Sequence, residues 1–165
     1  MIVLRLLHIL FGSFWLGATL LNAYFLLPSV RAVGPAAGPV MMELMQRRRL
    51  QLWMNLAMTV AILSGLGLFG IHESAAHGAF SRSRMGMTLV VGAVLSIAAA
   101  GVGGAVAQPT GRKLGAIAER SAGKPPSAET VEESRALQAR LARAVSIMSV
   151  LLLLSAAAMA VARYV

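Results

Sequence analysis

Three histidines and ten methionines are the side chains of this 165-residue sequence best suited to metal chemistry. There is no cysteine, which excludes disulfides, thiol catalysis, thiolate zinc sites and iron–sulfur clusters. His8 stands apart from the other two histidines. It lies inside MIVLRLLHILFGSFWLGATLLNAYFLLP, residues 1–28, where Arg5 is the only charged residue. An ionisable group in so apolar a run needs a metal, a hydrogen-bond acceptor or water as partner, so it is a functional candidate by default. Imidazole nitrogen and thioether sulfur are ligands for haem iron and for copper. Counted along the helices that the sequence implies, Met159 falls at a depth close to that of His8, and Met85 falls nearer the same membrane surface. His72 and His77, with Glu73 between them, fall in a short connector at that end. They are either solvated loop residues or further metal ligands. Their spacing has one residue too many for the zinc-protease motif. Arg5 sits one turn from His8. It either snorkels to the headgroups or pairs with a carboxylate of a bound ligand, such as a haem propionate. The apolar runs hold no carboxylate, which argues against a proton relay and against an oxygen-ligated cation site.

The elements that must position these residues are long and apolar. The chain is 58% hydrophobic and 13% charged, with a mean hydropathy of +0.74, values foreign to a soluble domain and to a disordered chain. At ~1.5 Å per residue, four stretches are long enough to cross most or all of a ~30 Å hydrocarbon core: about 2–27, 50–71, 85–107 and 144–162. The expected fold is an all-α integral membrane protein, a single antiparallel four-helix bundle with connectors at 29–49 and 108–143. The first stretch is too long for a signal-peptide core and is read as a retained helix. Pro28 and Gln108–Pro109 are expected to end the first and third spans.

Polar residues in the first span are not scattered. At ~100° per residue, His8, Gly12, Trp15, Thr19 and Asn22 share one narrow sector, with Arg5 at its edge. Such a stripe faces protein, because unsatisfied polar groups are costly in lipid. Asn22 and Asn55 fall at similar depths and are expected to pair between helices. Gly65, Gly67 and Gly70 in the second span suit close helix approach. So do Thr88, Gly92, Ser96, Ala100 and Gly103 in the third. In the last span Met148, Leu152, Ser155 and Met159 share a face. Gly123-Lys124-Pro125-Pro126 breaks the long connector, with a short interfacial helix before it. Ser127 can cap a helix that meets neither Gly nor Pro before the chain ends.

The net charge of +9 is a membrane signature rather than a nucleic-acid one. Eleven of the fifteen lysines and arginines fall in the 29–49 and 108–143 connectors. The other four are Arg5, Arg82, Arg84 and Arg163. The positive-inside rule places those connectors in the cytoplasm and both termini outside. Richness in Ala, Gly and Arg hints at a GC-rich genome and so at a bacterial cytoplasmic (inner) membrane. Partners are then the lipid bilayer and, in one reading, other membrane proteins or further copies of the chain, with no nucleic acid.

Leu7-His8, Trp15-Leu16-Gly17 and Leu27-Pro28, followed by the basic Arg47–Arg49 connector, resemble the opening helices of two small membrane families. These are the copper-resistance CopD-type proteins and the HemJ-type protoporphyrinogen oxidases. Both place a histidine seven residues before a tryptophan. The resemblance covers about the first seventy residues. The HemJ-type likeness implies that His8 ligates haem b, and the CopD-type likeness implies copper passage across the membrane.

Three functions follow as expectations. The first is a haem-b-binding membrane protein with an electron-transfer or haem-linked oxidation role. Its site would be built from His8, Arg5, Trp15, Met85 and Met159. The second is a copper-handling protein using His8, His72, His77 and methionines at the same end. The third is a cofactor-free accessory subunit of a larger membrane complex.

Overall fold

The computed structural model describes residues 1–121 and 127–165, and every described element is helical. The expected break at Gly123–Pro126 lies outside the described residues. Four helices are long and apolar enough to cross a membrane: α1 (Ile2–Val33), α2 (Leu50–Ala75), α3 (Arg84–Arg120) and α4 (Ala128–Tyr164). They form an antiparallel bundle. α1 packs along α2 and α3 along α4, and the two hairpins meet through α1 against α4 and α2 against α3.

The core is thin and made largely of small residues. One residue from each helix meets at its centre: Trp15, Ala57, Ala99 and Leu152. The Trp15 indole occupies space that the two alanines leave. Thr19, Ser64, Ser149 and Ser155 are also buried. Except in Ser155, their hydroxyls donate to carbonyls of their own helix one turn back, and among the described residues no buried side-chain polar atom is stranded. Outward positions carry Leu, Ile, Val and Phe. That is the arrangement lipid demands, since helices in a bilayer associate by close packing rather than by hiding apolar surface.

Two sequence expectations fail at the prolines. α1 does not end at Pro28 but runs on to Val33, and α3 continues past Pro109 to Arg120. In each case a five-residue π turn, Asn22–Leu26 or Gly103–Ala107, comes just before the proline. Leu27 N–H bonds to Asn22 O, and Gln108 N–H to Gly103 O, each reaching back five residues. The widened turn accommodates the carbonyl that the proline ring would strike, so the helix bends its hydrogen bonding instead of stopping. The expected interfacial helix at 111–122 is therefore, through Arg120, the end of α3. It buries Thr110 and Ile117, and this part of α3 packs on α4.

Other boundaries follow local chemistry. Ser127 Oγ accepts from Thr130 N–H at 3.2 Å and starts α4, which then runs as α-helix through Val161. Ser83 caps α3 through Gly86 N–H at 3.0 Å. The 29–49 connector is largely helical. It holds a short helix, Gly38–Met42, with a proline in its first turn. α2 reaches Ala75 rather than residue 71, so His72 and Glu73 belong to its last turns and not to a loop.

Candidate functional site

The polar stripe of α1 faces α2 and the bundle centre. Trp15 and Thr19 are buried, and Gly12 lies against Ala61. His8 is half-buried at the α1–α2 seam, where its Nδ1 lies 2.8 Å from the backbone oxygen of Ala61. A carbonyl can only accept, so Nδ1 carries the hydrogen and donates. In that tautomer Nε2 holds the ring's lone pair. The ring rests on Gly65, one turn further along α2. A methyl group there would stand 2.7 Å from Cε1 and 3.0 Å from Nδ1, but 3.6 Å from Nε2. Only glycine at this position lets the imidazole lie flat enough to reach the carbonyl. Ser64 Oγ also donates to Ala61 O at 3.2 Å. The seam therefore fixes both the direction of His8 and its tautomer.

An open, apolar cleft of about 300 Å³ lies on the same seam, lined by Leu10, Phe11, Phe14, Trp53 and Ala57. His8 itself is not part of its lining. Trp15 lies deeper, in the central packing. Arg5 is exposed.

The remaining candidates do not gather around His8. Met159 lies over Gly92 of α3, its Cγ 3.1 Å from where a Cβ on that glycine would stand. That occupation is helix packing, with the thioether filling the gap left by the missing side chain. Met85 is exposed at the start of α3. The His72 ring stacks on Phe80, centroids 5.2 Å apart, and Phe80 also meets Phe69 at 5.5 Å. His77 is exposed in a turn with φ of 50°. Glu73, between the two histidines, accepts from Ser81 N–H at 2.7 Å and from Ser81 Oγ at 2.8 Å. It is committed to holding the α2–α3 turn. Among the described residues no three of His, Cys, Asp and Glu come together in a way that could hold a metal ion.

The expected Asn22–Asn55 pair is not formed. Asn22 Nδ2 donates to Ala18 O at 3.0 Å and toward Met54 Sδ at 3.6 Å. Asn55 Oδ1 instead accepts from Gln51 and from Gln108, each at 3.0 Å, tying α2 to α3. Asn22 keeps its α-helical register, its own N–H on Ala18 O, and its side-chain amide is satisfied by Ala18 O and Met54.

No family model matches this chain. No curated protein and no solved structure matches it either. The candidate site is described by geometry alone: one imidazole, oriented by a backbone carbonyl, whose second nitrogen has no hydrogen bond among the described residues. Sequence reasoning found His8 but missed Ala61 and Gly65. The glycines of α2 signalled close approach, yet nothing in the sequence paired one of them with a particular side chain across the seam.

Proposed function

We propose that this protein is a haem-b-binding membrane protein of the bacterial inner membrane, in which His8 Nε2 would hold the iron and electron transfer is the role. The observation that supports it is the hydrogen bond from His8 Nδ1 to Ala61 O. Metal-ligating histidines almost always donate their other ring N–H to a carbonyl or carboxylate. That contact fixes the tautomer and raises the basicity of the ligating nitrogen. The donor chemistry of His8 fits haem iron, and the cleft on the same seam supplies the apolar wall a macrocycle needs. Haem, when bound, supplies a one-electron redox centre. The chain's own part is to hold the imidazole against Gly65, present Nε2, and exclude water with α1 and α2. Arg5, one turn away, is suited to a propionate. Orientation belongs to the same proposal: the basic connectors are cytoplasmic and both termini outside. A cysteine placed at Pro125 should then react only with a membrane-permeant reagent in intact cells. Ready labelling by an impermeant one reverses the topology.

A second reading is favoured by the same contact. Seated on Gly65 and bonded to Ala61, His8 is also satisfied as a clamp between α1 and α2, which fits a cofactor-free accessory subunit. The copper reading has less support, since His72 is stacked on Phe80 and Glu73 is engaged with Ser81. An absorbance spectrum of protein purified from haem-replete cells separates these readings. A Soret band lost in His8→Ala supports haem. A colourless, metal-free protein leaves the clamp, and bound copper without a Soret band revives the copper reading.

A further inference from the structure

Far from His8, where α1 ends and α4 enters its apolar stretch, lies an open-sided cleft of about 480 Å³. Arg31 and Arg143 stand on its rim, and Ala139, Ala142, Ser146 and Ile147 form its wall. Arg31 Nη2 donates to the backbone oxygen of Gln138 at 2.5 Å. That bond carries the guanidinium from α1 across to α4, and among the described residues its other N–H groups have no hydrogen-bond partner. No carboxylate lines the cleft. Glu43 pairs with Arg47 and Arg48, and Glu132 with Arg135. Among the described residues neither Arg31 nor Arg143 has a salt-bridge partner.

The depth of the cleft identifies what it meets. From Arg143 to Arg163 the chain carries no charge. Twenty residues of helix at ~1.5 Å each span ~30 Å, the thickness of a hydrocarbon core. Arg143 therefore stands at headgroup level, and Ile147, one turn deeper and exposed, stands at the level of the acyl chains. A cationic rim above an apolar wall matches an amphiphile of the opposite charge.

We infer that this cleft binds an anionic phospholipid. Arg31 and Arg143 hold the phosphodiester from two helices, and an acyl chain lies along Ala142, Ser146 and Ile147. Guanidinium is the group best matched to phosphate oxygens, and basic pockets between membrane helices recruit anionic headgroups. The lipid would bridge α1 and α4 at this end. The inference does not depend on His8 or on haem.

The test is native mass spectrometry of the whole protein in mild detergent, titrated with phosphatidylglycerol, phosphatidylcholine or inorganic phosphate. Phosphatidylglycerol should be retained as a one-to-one adduct and phosphatidylcholine should not. Arg31→Gln with Arg143→Gln should weaken retention by roughly thirtyfold, as the loss of two interfacial charges implies. Arg5→Gln with Arg163→Gln, the same charge change at the opposite end, should leave it unchanged. Equal losses in the two double variants, or equal retention of the two lipids, overturn the inference. So does displacement of the lipid by millimolar phosphate, which would make the site one for a soluble anion. If the Gln variants fail to fold, crosslinking of wild-type protein by a photoreactive-chain phosphatidylglycerol decides. Adducts within residues 139–147 support the site, and adducts only elsewhere refute it.

Discussion

The two hairpins solve one packing problem with different chemistry. In each, a glycine lets a neighbouring helix come close, and a long side chain from that neighbour covers it. In the first hairpin the cover is His8 over Gly65, and the polar links between helices are His8 to Ala61 O and Asn22 to Met54 Sδ. In the second the covers are Met159 over Gly92 and Met148 over Gly103. The link there is Ser155 Oγ to Gly92 O at 2.7 Å. Thioethers and a hydroxyl complete the second seam, with the hydroxyl hydrogen spent on the carbonyl. The imidazole completes the first while keeping a nitrogen in reserve. A group that packs and still has bonding capacity left is what distinguishes a candidate site from a packing contact of the same shape.

The sharpest way to break this comparison is His8→Ala. On the proposed haem binding, haem content should fall more than about tenfold, since the residue that would hold the iron is gone, while circular dichroism shows the helices intact. Full retention of the Soret band in that variant would remove His8 from the site. Next come matched substitutions at the two glycines. Gly65→Ala drives a methyl into the imidazole, and Gly92→Ala drives one toward Met159 and the Ser155 backbone oxygen. Each should cost about 1–3 kcal/mol by thermal unfolding in detergent. Only Gly65→Ala should also lower haem content, because only there does the displaced group carry a spare nitrogen. If both variants lose haem equally, the hairpins are not chemically distinct.

Met159→Leu keeps the volume over Gly92 and should cost under about 1.5 kcal/mol with the haem spectrum unaltered. A shifted Soret maximum would instead restore Met159 as a ligand. Smallest is Ser155→Ala, which removes one interhelical hydrogen bond worth about 0.6 kcal/mol in membrane proteins. Its effect on melting should be near the limit of measurement, and it should leave the spectrum alone.

The paired π turns extend the comparison to the helix ends. Pro28 and Pro109 read as stops in the sequence because a proline lacks its N–H and strikes the carbonyl four residues back. Both were absorbed, each by a π turn closing just before it. Whether a proline stops a helix or only widens it depends on what packs beyond it. Here the segment beyond Pro109 buries Thr110 and Ile117 and packs on α4, contacts that no local signal announces.

The number of spans, their apolar faces, the stripe of α1 and the cap at Ser127 were legible in the chain itself. Each is a matter of spacing along one helix, where period, length and capping are local quantities. His8 was legible too, because a histidine in an apolar run is conspicuous whatever surrounds it. Its partners were not. Ala61 contributes only a backbone oxygen and Gly65 only an absence of atoms, and neither has a side-chain signature. The same holds for Asn55, which found Gln108 rather than Asn22, and for the cleft between Arg31 and Arg143. These contacts depend on the rotation and offset of one helix against another. Those are set by which small residues let the backbones meet, so only the assembled bundle decides them.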